Sequence, residues 1–406
     1  MSPVPADSDP LTSAPISQHI TISCDADATF PTALSFKCAV TDSKGPRRTM
    51  EDAHSIIVPF GGVRGQGFFA IFDGHAGKQA AEWCGQNFSL HPWYCLPPVH
   101  RTQCFLDALR KHPNATIPDV LNQTFHDVDV SLSKMTEESD GKMHAGCTAV
   151  TAFLRLEDRK SNKQSFIPSD FDPLRSGTEM IEADAEDSAS GGEATPDEQK
   201  KKKSGKAKLK ERLKSIGGSS RSDPSSLASP SSASSGSSDK EKEKEAARVF
   251  TPSSAEGLRR VLYCANAGDA RGVLCRGGTA VRLTYDHKGS DTQEAKRITD
   301  AGGFVMSGRV NGVLAVTRSL GDSSMKEYVV GSPYTTETEL SDEDEFLILA
   351  CDGLWDVVDD KAAVHLVRDI ADPRKAAETL LDHAYKNWSS DNVTVLVVRF
   401  RNPPSK

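Results

Sequence analysis

From about Asp158 to about Glu256 the chain can bury almost nothing, and this limits what the remainder can fold into. The stretch passes from an acidic patch (Glu179 to Asp187) through a lysine block (KKKKSGKAKLKERLKS, Lys200 to Ser215) to a serine-rich tract and KEKEKE. Such composition cannot offset the entropy lost on ordering, so a disordered insertion is expected at 158–256. Residues 1–33, rich in Pro, Ser, Asp and Thr without periodicity, read as a disordered tail. What remains is roughly 275 residues, the size of one large single-core domain. The flanks of the insertion (CTAVTAFLRLE before it, RRVLYCANAGDARGVLCRGGTAVRLTYD after it) read as strands, the second as an antiparallel meander. The insertion is therefore a long loop inside one domain spanning 34–400, a loop whose closure cost grows only logarithmically with length.

The other periodic segments alternate irregularly. QGFFAIFD, EFLILACD and NVTVLVVRF read as strands; KQAAEWCGQNF, the stretch around Lys361 to Ile370, and AETLLDHAYKNW read as helices. Mostly antiparallel sheet with segregated helices is an α+β layered architecture. A net charge of −8 argues against a nucleic-acid partner bound over the whole surface. Nine cysteines at irregular spacing, with no C-x-x-C, argue against zinc and against a disulfide framework. The opening residues lack a signal-peptide pattern, and no apolar run is long enough for a transmembrane segment. These features lead to an expectation of a soluble protein of a reducing compartment.

Three apolar strands begin or end on an aspartate. Asp73 follows FFAIF and Asp352 follows FLILAC, each with Gly next, while Asp391 stands just before NVTVLVV. A single Asp-Gly is usually a turn. Three strand termini built alike suggest a frame for oxygen ligands, and oxygen-only ligation selects Mg²⁺, Mn²⁺ or Ca²⁺. Glu51 and Asp52 sit in RRTMED ahead of another strand. Arg47 and Arg48 offer the planar guanidinium that grips phosphate, and His75 could move a proton beside the metals. This is an inventory for phosphoryl transfer. Spacing alone does not separate a phosphatase from a nuclease or a phosphodiesterase.

The motifs RRTMEDAH, FFAIFDGHAG, GCTAV, ANAGDAR, RVNGVLAVTRSLGD, FLILACDGLWDVV and SSDNVTV occur in order. Together they resemble the metal-dependent type 2C (PPM-type) protein serine/threonine phosphatases, over residues 36 to 400 apart from the insertion. RRTMEDAH, AEWCGQNF, RLTYDHKGSDTQEAKRI and VVGSPYTT are most similar to the fungal isoform that restrains stress-activated MAP-kinase signalling. The resemblance implies an α-β-β-α sandwich and two Mn²⁺ or Mg²⁺ ions. Asp73 would bridge both ions and the Gly74 carbonyl would bind one. Asp352 and Asp391 would complete the other's shell, and Glu51 would reach its metal through water. It also implies attack by a metal-bridging hydroxide oriented by Asp52, with Arg47 holding the phosphoryl oxygens and His75 protonating the leaving oxygen. Asp269 and Asp356 match positions linked to a weaker third metal. The stretch from His287 to Arg309 resembles a flap that influences substrate choice. Cys147, where many relatives carry Ser, reads as a packing difference. Expected partners are phosphoprotein substrates, MAP-kinase pathway kinases among them; the expected state is a monomer in cytoplasm and nucleus.

Other signals carry less. GGVRGQG (Gly61 to Gly67) precedes a strand rather than joining strand to helix, so it reads as a turn and not a phosphate loop. Ser131-Leu-Ser-Lys134 spells S-x-x-K without companion elements. The lysine block reads as a solvated run, a nuclear localisation signal or an anionic-membrane contact. Two rival functions are a catalytically silent phosphoprotein scaffold, which would have lost a metal aspartate, and a docking adaptor built on the insertion.

Overall fold

In the computed structural model, residues 19–23, 30–88, 104–139, 144–161, 163–171 and 249–403 are described. The chain divides into Met1–Leu174 with Ala247–Lys406, and Arg175–Ala246. The second unit, and with it most of the expected insertion, lies outside the described residues.

Side-chain alternation along single strands builds the layers. In β4 (Gly67–His75), Phe68, Ala70 and Phe72 join one apolar cluster, while Phe69 and Ile71 join another. In β13 (Asp344–Ala350), Leu347 and Leu349 share the cluster of Phe69, whereas Phe346, Ile348 and Ala350 join a third. Successive side chains leave a strand on opposite faces. Both strands are therefore covered on both sides, which is why they read as unbroken apolar runs.

Two antiparallel sheets supply the middle layers. One has the order β1 (His19–Ser23), β2 (Lys37–Ser43), β14 (Val393–Arg399), β13, β7 (Arg271–Arg276), β8 (Thr279–Arg282). The other has the order β12 (Tyr334–Glu339), β6 (Leu258–Ala267), β5 (Gly146–Asp158), β4, β3 (Ala53–Ile57), with β11 (Leu320–Gly321) paired to β5. Phe69, Val150 and Leu262 from the second sheet meet Leu347, Leu349 and Leu396 from the first in the shared core. Helices α1 (Gln79–Asn87), α2 (Cys104–Lys111) and α3 (Ile117–Glu138) cover the second sheet through Cys84, Phe105 and Phe125, with Phe88 just past the end of α1. Helices α6 (Asp360–Val367) and α7 (Pro373–Lys386) cover the first through Val364, Leu380 and Leu381. Each such buried side chain contributes about 1.5–3 kcal/mol. The start of α7 is set locally: Pro373 occupies its first turn, and the Asp372 side chain accepts from Arg374 N at 3.0 Å. The architecture is the expected α-β-β-α sandwich. No helix among the described residues is long and apolar enough to cross a membrane. The seven described cysteines are buried, and none of them is in a disulfide. Cys147 Sγ lies 3.8 Å from Cys84 Sγ in the helix-side core, a packing role.

Three expectations change. Residues 1–33 are not wholly outside the fold: β1 pairs with β2 from His19↔Thr41 to Ser23↔Lys37, and Phe30 is buried. Apolar alternation in so short a piece is too weak to be seen without its partner strand. The stretch 259–286 is no continuous meander, because β6 belongs to one sheet and β7 to the other. Gly268, at φ +114°, and Asp269 form the crossing, and Ala270 is buried between the sheets. The borders of the insertion also move inward. The Phe250 ring packs at a tilt against those of Phe166 and Phe171, with centroids 6.1 and 5.7 Å apart.

Candidate active site

Antiparallel register gathers the candidate residues at one end of the sandwich. β4 runs out at Asp73–His75, β13 ends at Ala350 opposite Val395, and β14 starts at Val393 opposite Ser43 of β2. The segment from Arg47 to Asp52 links β2 to β3, whose Ala53 pairs with Phe72. The Gly268–Asp269 crossing lies there too, since Ala267 pairs with Ala149 and Arg271 with Ala350.

The carboxylates so collected repel one another. Burial, followed by the charges of Asp52, Asp352, Asp269 and Asp391, raises the pKa of Asp73 well above the usual carboxylate range. Asp352 opens the short α5 (Asp352–Trp355), and burial together with Asp269, Asp356 and Asp391 pushes it up to about 8. Asp52 is pushed up to about 6 by burial, although Thr394 Oγ1 donates to its Oδ2 at 2.6 Å. The other oxygen, Asp52 Oδ1, is buried without a partner, as is Asp269 Oδ1. Clustered, desolvated oxygen donors of this kind fit a hard divalent cation, which would neutralise them. Ligand atoms of Asp52, Asp73 and Cys351 lie within 4.8 Å of one another. The thiol is a poor third donor: burial raises its pKa well above its ordinary value, and it already accepts from Thr394 N at 3.2 Å.

The glycines of the two Asp-Gly pairs serve close approach. A Cβ on Gly74 would stand 2.4 Å from the Glu51 carbonyl oxygen, and one on Gly353 2.0 Å from that of Asn392. Gly74 lies within β4 and Gly353 within α5, so neither pair is a free turn. Arg47 Nη2 donates to Asp391 Oδ2 at 2.6 Å, which joins the predicted phosphate grip to a predicted metal ligand. Glu51 is near but bonded within its own loop, its Oε1 accepting from Thr49 Oγ1 at 3.1 Å. His75 Nε2 lies 2.7 Å from Asp322 Oδ2. Asp269 and Asp356 are bridged by Lys288, whose Nζ is 3.6 and 2.8 Å from them.

Sequence reasoning missed the residues that tie these segments together. Asn392 Oδ1 accepts from Glu51 N at 2.8 Å, while its Nδ2 donates to Lys44 O and Thr49 O at 2.9 and 3.0 Å. One amide thus fixes the Arg47–Glu51 loop onto β14. Tyr385 Oη donates to Ser43 O at 2.9 Å and packs the same loop from α7. Polarity beside Asp391 was the only signal available for Asn392. Ser131 and Lys134 belong to α3, and the flap stretch holds α4 (Thr292–Asp300) with the hairpin β9 (Val305–Met306) and β10 (Arg309–Val310).

Residues 36–158 and 188–393 match the family model described as protein phosphatase 2C. The chain is 35% identical over 359 residues to protein phosphatase 2C homolog 1 of Schizosaccharomyces pombe, covering 88% of this chain and 71% of the relative. It is 35% identical over 372 residues to the protein of the same name in Saccharomyces cerevisiae, covering 91% and 95%. In fold it is similar to a crystal structure of a Toxoplasma gondii phosphatase, with TM-score 0.55, 20% identity and coverage of 96% and 97%. A second Toxoplasma gondii structure, a serine-threonine phosphatase 2C, gives TM-score 0.52 at 17% identity over 95% and 99%.

Proposed function

The chain belongs to the protein phosphatase 2C family, a family of metal-dependent protein serine/threonine phosphatases, and from that premise we propose how its residues divide the work. Asp73, the Gly74 carbonyl, Asp352 and Asp391 would hold two Mn²⁺ or Mg²⁺ ions, with Glu51 acting through water. Bound there, the cations would supply charge neutralisation and Lewis acidity toward water and phosphate. The observation that carries this reading is the crowd of carboxylates at the strand ends, where Asp52, Asp352, Asp269 and Asp391 each raise the pKa of Asp73.

The chain's own side chains account for the rest. Arg47, already beside the cluster at Asp391, would take the phosphoryl oxygens through its planar fork. Asp52 Oδ1, unpartnered while Oδ2 is tied to Thr394, would orient the attacking water. The water oxygen bonds to phosphorus as the bond to the Ser or Thr oxygen breaks, and His75 would hand that oxygen its proton. The products are inorganic phosphate and the free hydroxyl. Kinases of a stress-activated MAP-kinase pathway are the substrates we propose, with the chain as their negative regulator in cytoplasm and nucleus. The support is the resemblance of RRTMEDAH, AEWCGQNF and VVGSPYTT to the fungal isoform.

Hydrolysis of a phosphothreonine peptide tests the assignment. Turnover should require Mn²⁺ or Mg²⁺, stop with EDTA, and fall at least about 100-fold in Asp352→Asn. Activity that survives either treatment contradicts it.

A further inference from the structure

Behind His75 lies a carboxylate that the scheme above leaves idle. His75 Nε2 is 2.7 Å from Asp322 Oδ2 across 247 positions of sequence, the two side chains being 25% and 8% exposed. An ionised carboxylate only accepts, so Nε2–H is the donor, which leaves Nδ1 as the ring nitrogen open to a substrate.

The carboxylate is held from several sides. Ser319 Oγ donates to the same Oδ2. Asp322 adopts the left-handed conformation, at φ 48° and ψ 43°. For a residue other than glycine this costs of order 1 kcal/mol and persists only where the surroundings impose it. Here the preceding Gly321 N donates to Asp129 Oδ1 on α3 at 2.9 Å, and Lys326 Nζ meets the same oxygen at 2.8 Å. The path from Asp322 to His75 crosses Gly146, which pairs with His75 on one side and Gly321 on the other. A Cβ on Gly146 would sit 2.2 Å from Asp322 Oδ2. The β5 residue between the two partners therefore has to lack a side chain.

We propose that Asp322 is a positioning residue for dephosphorylation: by holding Nε2–H it fixes the His75 ring with Nδ1 toward the leaving oxygen. That oxygen departs with the electron pair of the broken P–O bond and takes the Nδ1 proton of the imidazolium form of the ring, which keeps its Nε2–H on Asp322. The inference rests on the reading of His75 as proton donor, and its test separates the two.

Asp322→Asn, Asp322→Ala, His75→Gln and the Asp322→Ala/His75→Gln double variant would be assayed with Mn²⁺ on a phosphothreonine peptide and on p-nitrophenyl phosphate. In Asp322→Ala, kcat on the peptide should fall about 10- to 100-fold, with KM within about twofold. On the nitrophenyl ester the loss should stay below about threefold, since nitrophenolate leaves without protonation. Asn keeps an acceptor and tolerates positive φ, so Asp322→Asn should recover part of the loss and stay folded even where Ala does not. In the His75→Gln background, Asp322→Ala should cost nothing further. Equal losses on both substrates, or additive losses in the double variant, overturn the role of Asp322 even where His75→Gln alone discriminates between leaving groups. A His75→Gln variant that does not discriminate overturns both readings.

Discussion

At the scale of residues, the candidate site is a problem in electrostatics that a cation solves. Asp352, held at about 8 by burial and its neighbouring carboxylates, has an ordinary value near 4 in the unfolded chain. Between those values the metal-free folded protein keeps a proton that the unfolded chain has released, so stability falls as pH rises through that window. In EDTA, the thermal midpoint should drop by roughly 8–17 °C between pH 4.5 and 8, since the linkage amounts to about 4 kcal/mol and a domain of this size shifts about 2–4 °C per kcal/mol. Asp352→Asn should flatten that slope. A midpoint that rises over the window, or a slope the substitution leaves intact, would mean the carboxylates are not in conflict. Gly74 and Gly353 belong to the same scale, because each lets a carbonyl oxygen pack where a methyl group would stand.

Among the elements, α4 shows how one carboxylate carries order from the flap stretch toward the site. Asp291 caps the helix, accepting from Gln293 N and Glu294 N, each at 2.9 Å. Glu294 then accepts from Arg318 Nη2, Arg297 Nη2 and Thr317 Oγ1 at 2.7, 3.0 and 2.9 Å. The approach to β11, and through it Asp322, is thereby clamped to α4. Burial alone would raise the pKa of Glu294, but Arg318, Arg297 and Thr317 outweigh it and bring it to about 2. Because the folded value is the lower one, this stabilisation is complete above the unfolded value near 4.3 and is lost as pH falls toward 2. Glu294→Gln should lower the urea-unfolding free energy at pH 7 by about 3 kcal/mol and remove that part of the acid limb. A loss below about 0.5 kcal/mol, the usual range for surface sites, would show the clamp to be ornamental.

For the molecule as a whole, the long segment between β5 and β6 is the main open variable. The two strands pair along their length to Asp158↔Leu258, and beyond them Arg159 N donates to Gly257 O at 2.9 Å. Phe250 reaches back to the second sheet's rim, its N donating to Gly62 O at 2.8 Å, and its ring packs at a tilt against Phe171. The two ends of the described flanks therefore already meet. Replacing residues 172–248 with a Gly/Ser linker of about six residues should leave turnover on a phosphopeptide within about twofold, given the small entropy of closing a short loop. A large drop in turnover would make the segment part of the catalytic fold. Unchanged turnover with lost capture of a partner would favour a docking role for it.

The sequence by itself determined the layers and the kind of chemistry. Unbroken apolar runs such as FFAIF and FLILA require cover on both faces, and aspartates at their ends fix oxygen donors at a sheet edge. Those are local properties, readable from the chain in order. Tertiary structure alone decided which side chains meet across that edge. Asn392 holds Glu51 from 341 positions away, Asp322 reaches His75 from 247, and Lys288 settles between Asp269 and Asp356. The crossing at Gly268 was hidden for the same reason, since a turn looks alike whether it joins neighbours in one sheet or passes between two. Strand register is set by long-range pairing and burial, and a shift of one residue would turn every side chain to the opposite face. No local pattern encodes such a contact before the sheets close on each other.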